Sequence, residues 1–184
     1  MWKGIDVSDN QGAVSWNQVK KAGCQFAVLR SVRRSGKPDG QFAANVSGCR
    51  ANGIPFEVYK YTYATVPSVA AEEAKQVVDL LQRYGLSCRI WWDVEDASLK
   101  KIGTGVLTGL IRSAWNIVEG AGMEFGIYTG LAFYHAGYFD PSAFDCPFWI
   151  ARYPASAQYP VSAAPPDGKY CPQTTQTVGP WQDT

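Results

Sequence analysis

Short apolar runs alternate with amphipathic segments along most of this chain, and that alternation restricts its fold more than any other feature. Residues 3–7, 25–32, 54–63, 89–96, 125–129 and 148–153 read as strands, and the second carries Phe26, Ala27, Val28 and Leu29 without a polar break. Between them, residues 41–52, 67–84 and 107–121 place apolar side chains at helical spacing. Phe42, Val46 and Cys49 do so in the first of these, and Leu110, Ile111, Ala114 and Val118 in the last. A shorter helix is expected over 15–23 with Ser15 as its N-cap, and Gly23, Gly53, Gly85 and Gly122 stand where helices would stop. Strands that are apolar throughout must be covered on both faces, which points to a parallel sheet with crossover helices. After residue 153 the alternation decays into Pro-, Ala- and Ser-rich chain, with one further strand expected over 173–182.

A doubly wound nucleotide-binding sheet would carry a Gly-rich phosphate loop after its first strand, but here that loop is Asp6-Val7-Ser8-Asp9-Asn10-Gln11-Gly12. Polar residues gather at the C-terminal end of each strand instead. They are Asp6, then Arg30 and Ser31, Tyr61 and Tyr63, Asp93 and Glu95, Tyr128 and Thr129, and Arg152 and Tyr153. In a parallel β/α barrel these ends converge on one mouth, where active sites lie. The expected class is therefore α/β, a parallel β/α barrel.

The fourth strand carries the sharpest chemical signal. In Arg89-Ile90-Trp91-Trp92-Asp93-Val94-Glu95-Asp96, the i, i+2 spacing puts Trp91, Asp93 and Glu95 on one face, with Ile90, Trp92 and Val94 on the other. Two neighbouring carboxylates at the end of an apolar strand repel each other and are partly desolvated. Both effects disfavour ionisation and raise a pKa, which makes a general acid available near neutral pH. The plain alternative is a strand that runs out into an acidic turn.

Composition removes other classes. Charged residues make up 18% of the 184 and the net charge is +1, so no field of one sign exists to hold nucleic acid or an anionic membrane. No window approaches the ~20 apolar residues of a membrane-spanning helix, and no signal-peptide pattern opens the sequence. The 5 cysteines form no CxxC or Cys/His cluster and there is 1 histidine, so no metal site and no cofactor are expected. Cys24, Cys49 and Cys88 read as unpaired core residues, His135 as a surface or helix residue, and Arg33 and Arg34 as solvated loop residues without a role. The 7 Trp and 10 Tyr exceed what a core of this size needs, and flat aromatic faces suit sugar rings.

Four motifs in order bring these features together: Gly4-Ile5-Asp6-Val7-Ser8 with Gln11-Gly12, Trp92-Asp93-Val94-Glu95, Gly126-Ile127-Tyr128-Thr129 and Phe148-Trp149-Ile150-Ala151-Arg152-Tyr153. Together with Asp39, Phe42, Asn45 and Tyr59-Lys60-Tyr61, they resemble glycoside hydrolase family 25, the Chalaropsis-type lysozymes (N-acetylmuramidases) of bacteria, fungi and phage endolysins. The resemblance runs from about residue 3 to 154. It implies an irregular, TIM-barrel-like β/α barrel with fewer helices than strands. It also implies cleavage of the β-1,4 bond between N-acetylmuramic acid and N-acetylglucosamine, with Glu95 as proton donor and Asp93 and Asp6 as supporting carboxylates. Members usually close with a WQYT-like segment, a Gly-rich turn and a further strand carrying another active-site aspartate. Here Trp181-Gln182-Asp183-Thr184 ends the sequence, so residues 1–184 are expected to be one catalytic domain cut short at its C-terminus relative to the family.

Glycoside hydrolysis needs an acid on the leaving oxygen and a negative charge near the anomeric carbon. Glu95, farther out along the strand and longer, is the better acid; Asp93, deeper and beside Trp91, is the charged partner whose repulsion raises it. A covalent route and one assisted by the substrate's own N-acetyl group both stay open. Tyr59, Tyr61, Tyr128, Trp149 and Arg152 are candidate substrate contacts, the tyrosines with pure core as their alternative and Arg152 with a structural ion pair. Asp6 has capping of the first loop as its alternative. The expected partner is bacterial cell-wall peptidoglycan, met outside the cell by a monomer, either a phage endolysin or a domain of a secreted protein. The competing readings are a wall-glycan-binding module that does not cleave, and a glucosaminidase or chitinase with the same carboxylate geometry.

Overall fold

The computed structural model describes residues 3–151, so Arg152, Cys171 and the strand expected over 173–182 lie outside the described residues. Six strands form one sheet in chain order: β1 Gly4–Val7, β2 Phe26–Arg30, β3 Phe56–Tyr61, β4 Ile90–Asp93, β5 Phe125–Gly130 and β6 Phe148–Ala151. Every neighbouring pair is parallel. The helices are α1 Trp16–Lys21, α2 Phe42–Ala51, α3 Pro67–Arg83, α4 Thr104–Gly120 and α5 Leu131–His135. The sheet curls into a half-barrel with fewer helices than strands among the described residues, the irregular parallel β/α barrel expected.

The two faces of each strand separate cleanly. Outward-facing Ala27, Leu29, Val58, Ile90, Trp92, Ile127, Phe148 and Ile150 join helix residues such as Val46, Val77, Leu81, Leu110 and Ile111 in the main core. Inward-facing Val28, Trp91, Tyr128, Trp149 and Ala151 form a second cluster, with Phe26 and Tyr59 packed against it. Trp91 and Trp92 are therefore both buried, on opposite sides of the sheet. Room for the Trp91 ring comes from Gly126 on β5: a Cβ there would lie 2.6 Å from the indole, closer than packed atoms tolerate.

The helix boundaries follow local chemistry with some departures. Ser15 precedes α1 but its hydroxyl makes no capping hydrogen bond. The helix is held instead by Trp16, whose indole N–H donates to Asn45 Oδ1 at 3.2 Å and whose ring lies against Gly48. α4 begins at Thr104 rather than 107, because Gly103 at φ 82 turns the chain into the helix early. α5 was not legible, since five residues are too short for a helical stripe to show; it ends at exposed His135. Cys24 and Cys49 are buried and Cys88 half-buried, all three free. Burial pushes the Cys49 thiol up to about 12.

Candidate active site

The C-terminal ends of the strands open on a cleft of about 610 Å³. That size suits a ligand of several rings. Asp6, Tyr59, Tyr61, Asp93, Glu95, Tyr128 and Trp149 all line it. Register explains the convergence: Tyr61 pairs with Asp93, Asp93 with Tyr128, and Tyr128 with Trp149, one inward-facing row across four strands. Tyr128 and Trp149 meet edge to face at 4.8 Å and Tyr61 lies tilted on Tyr63 at 4.8 Å, giving the cleft aromatic walls.

Asp93 closes β4 with 5% of its surface exposed, and among the described residues its buried Oδ1 has no hydrogen-bond partner. Burial, then the charges of Glu95 and Asp6, hold its carboxyl well above the usual range, with Lys60 pulling weakly the other way. Glu95 lies two residues beyond the last paired residue of β4 and is half-buried. Its carboxyl is raised by desolvation first and by Asp6 second. The repulsion expected between the i, i+2 neighbours is present, and it shows on Asp93, which the Glu95 charge raises. On Glu95 the Asp6 charge across the mouth on β1 adds to the larger effect of desolvation.

The capping alternative for Asp6 is met by another residue. Ser8 caps the 3-10 turn Asp9–Gln11: its hydroxyl accepts from the Asn10 N–H, and the Gln11 side chain accepts from the Ser8 N–H. Burial raises the Tyr59 and Tyr61 hydroxyls, so both stay neutral donors at ordinary pH. Tyr61 donates to Asp96 Oδ2 at 3.3 Å.

Several lining residues escaped the sequence reading. Arg33 and Arg34, expected to be solvated and without a role, both face the cleft, as do Asp9 and Asn10, beside Arg30 and Tyr63, which the strand-end pattern places at the mouth. Their shared signal is position just after a strand's C-terminal end or in the loop that follows, the same signal that marked Asp6. Arg30 is clamped by Asp39, Nε to Oδ2 at 2.7 Å, and by Asp9. Behind the wall, Lys60 is fully buried on the outer face of β3 and pairs with Glu73 of α3 at 3.1 Å. Glu73 also accepts from the Thr62 hydroxyl at 2.6 Å and from the Tyr63 N–H at 3.3 Å. Lys60 donates to the Tyr61 carbonyl at 2.7 Å, so this network fixes the strand end that carries both tyrosines. Among the described residues no group of three or more His, Cys, Asp or Glu is arranged to hold a metal ion.

The model of one family, glycosyl hydrolases family 25, matches residues 5–182. The chain belongs to glycosyl hydrolases family 25. Among family relatives, the autolytic lysozyme of Clostridium acetobutylicum is 25% identical over 154 residues, covering 84% of this chain and 46% of that protein. The chain thus spans less than half the length of that relative. The modular autolysin LytC of Streptococcus pneumoniae, solved with a synthetic peptidoglycan ligand, superposes with a TM-score of 0.72 at 26% identity, over 86% of this chain and 39% of that one. The bacterial lysozyme of Streptomyces coelicolor shares the fold with a TM-score of 0.77 at 22% identity, over 100% of this chain and 83% of its own.

Proposed function

We propose that this chain is a peptidoglycan hydrolase, a muramidase that cleaves the β-1,4 bond between N-acetylmuramic acid and N-acetylglucosamine. The observation that carries the reading is the meeting of Asp6, Asp93 and Glu95 in one aromatic-walled cleft of a family 25 chain. The names borne by its relatives, an autolytic lysozyme and an autolysin bound to a peptidoglycan ligand, support the substrate class. Residues 1–184 would act as one domain and as a monomer, on wall glycan outside the cell.

Glu95 is the proton donor to the leaving oxygen. It sits beyond the strand end, half-buried, with a carboxyl held towards its protonated form. Asp93 faces the reacting sugar from the floor. The form that acts is the carboxylate, and because burial disfavours a lone charge there, that charge is stabilised most when positive charge develops beside it in the oxocarbenium-like transition state. In the substrate-assisted route the same carboxylate accepts from the acetamido N–H and so polarises the amide whose oxygen attacks. Tyr61, Tyr128 and Trp149 provide faces and edges for the sugar rings.

Mass spectrometry of the reducing ends released from peptidoglycan tests the reading: muramic acid is expected, and glucosamine ends or no product would overturn it. A second test concerns Asp6. Its charge raises Glu95, and the basic limb of the pH–rate profile reports that acid, so Asp6→Asn should move the basic limb to lower pH. A basic limb that stays in place would detach Asp6 from Glu95.

A further inference from the structure

We infer that Arg33 and Arg34 form an anion-recognition subsite at the rim of the cleft, taking a carboxylate borne by the lactyl substituent of the muramoyl unit. The inference rests on the muramidase reading above and adds the feature of the substrate that this rim selects.

The two arginines are presented by a built turn. The Arg33 N–H donates to the Lys37 carbonyl at 2.9 Å, the Gly36 N–H donates to the Arg33 carbonyl at 3.0 Å, and Val32 bridges to Pro38. Gly36, at φ 77, supplies the left-handed step that closes it. Three arginines line the cleft, and they differ in how far their charge is already used. Arg30 is saturated by Asp39 and Asp9. Arg33 has a loose approach to Asp9 at 3.6 Å, and its side chain is 44% exposed. Arg34 has no carboxylate within salt-bridge distance among the described residues, its charge reaching only as far as a minor pull on Asp96, and its guanidinium lies 4.7 Å above the Tyr63 ring. Contact with the ring face holds the guanidinium in place without using up its N–H donors. An open, oriented fork of donors matches a carboxylate in two-point contact.

The substrate offers such a group in one place. The sugar rings of an N-acetylated wall glycan are neutral, and its negative charge hangs from the lactyl ether, either as the lactyl carboxylate or as carboxylates of the peptide joined to it. Tyr63 lies against Tyr61, and Tyr61 bonds Asp96, the residue after Glu95. Two aromatic rings, Tyr63 and Tyr61, therefore link Arg34 to Asp96, the neighbour of the acid. The floor of the cleft, with Asp6, Asp93 and Glu95, repels an anion, while the rim attracts one. This polarity sets which way a substituted ring faces when it enters.

The test compares wild type with R33Q/R34Q and R33K/R34K on soluble glycan fragments bearing stem peptides, and on the same fragments stripped by an amidase, which keep only the lactyl carboxylate. KM for the peptide-bearing fragments should rise about tenfold in R33Q/R34Q, and the salt dependence of KM should flatten. R33K/R34K, which keeps the charge but not the fork, should retain the salt dependence with an intermediate KM. A loss confined to peptide-bearing fragments identifies a stem-peptide carboxylate, and an equal loss on stripped glycan shows that the rim also takes the lactyl carboxylate, which is an amide wherever a stem peptide is attached. Unchanged KM and salt slope in R33Q/R34Q, with an unaltered Tm showing a folded protein, would overturn the subsite. Direct binding of the same fragments in a Glu95→Gln background reads the arginines without turnover. If wild type yields no muramic acid ends, the muramidase reading fails on its own while this binding comparison still decides the subsite.

Discussion

Replacing Glu95 by Gln should lower the rate of peptidoglycan hydrolysis by at least ~10²–10⁴-fold, the range in which a positioned general acid contributes. Gln keeps the size and hydrogen-bonding capacity of the side chain but has no proton to give to the leaving oxygen. The loss should fall on kcat, because the surfaces that hold the glycan are elsewhere: Tyr61, Tyr63, Tyr128 and Trp149 are untouched by the change. Fragment affinity should therefore stay close to wild type, as read by calorimetry or by retention on insoluble wall. Thermal stability should hold or rise, since burial and Asp6 already disfavour the charged form of Glu95 and the amide is neutral at every pH. The assignment fails if Glu95→Gln clears cell walls at the wild-type rate. A variant that loses glycan binding along with turnover would instead place Glu95 among the groups that hold substrate.

The parts of this arrangement that were readable in the sequence are those governed by local periodicity. Trp91 and Trp92 fall on opposite sides of β4 because side chains alternate along a strand, and Asp93 inherits the inner face from the same rule. Gly23, Gly53, Gly85 and Gly122 all adopt positive φ where helices stop, as their positions required. What stayed hidden depends on contacts between distant segments. Arg33 and Arg34 carry no periodic pattern, and only the return of their loop over the mouth turns two solvated charges into cleft residues. The Asp93–Glu95 repulsion was legible in their spacing, but the further charge that raises Glu95 comes from Asp6, 89 positions earlier, with no pattern to link them. The Lys60–Glu73 pair left a fainter trace. A lysine inside an apolar strand and a glutamate beside Ala70, Ala74 and Val77 on the buried stripe of α3 each look out of place singly, and they are explained only by each other.

Asp93→Asn should produce two changes of opposite sense, a large loss of turnover and a gain of stability near neutral pH. Turnover should fall by ~10²-fold or more, the scale on which one preorganised group acts on charge developing in the transition state. The stability effect follows from the position of the carboxyl. Its pKa in the fold is raised above the ordinary 3.8 by burial, Glu95 and Asp6. Between the ordinary value and the raised one, the folded protein holds a proton that the unfolded chain has released, so stability falls as pH rises through that window. Asn carries no such proton and no charge, and its substitution removes the penalty. No hydrogen bond to Oδ1 is forfeited, because that atom has no partner among the described residues, and Lys60 keeps its ion pair with Glu73. Tm measured from pH 4 to 8 should therefore be nearly equal for the two proteins at the acid end and diverge in favour of Asp93→Asn towards neutrality. For a chain of this length each kcal/mol of relief is worth ~2–4 °C. A Tm difference that does not vary with pH, or a variant less stable than wild type at pH 7, would show that Asp93 is not held above its ordinary range. The same result would remove the reason for its charge to favour the transition state over the resting site.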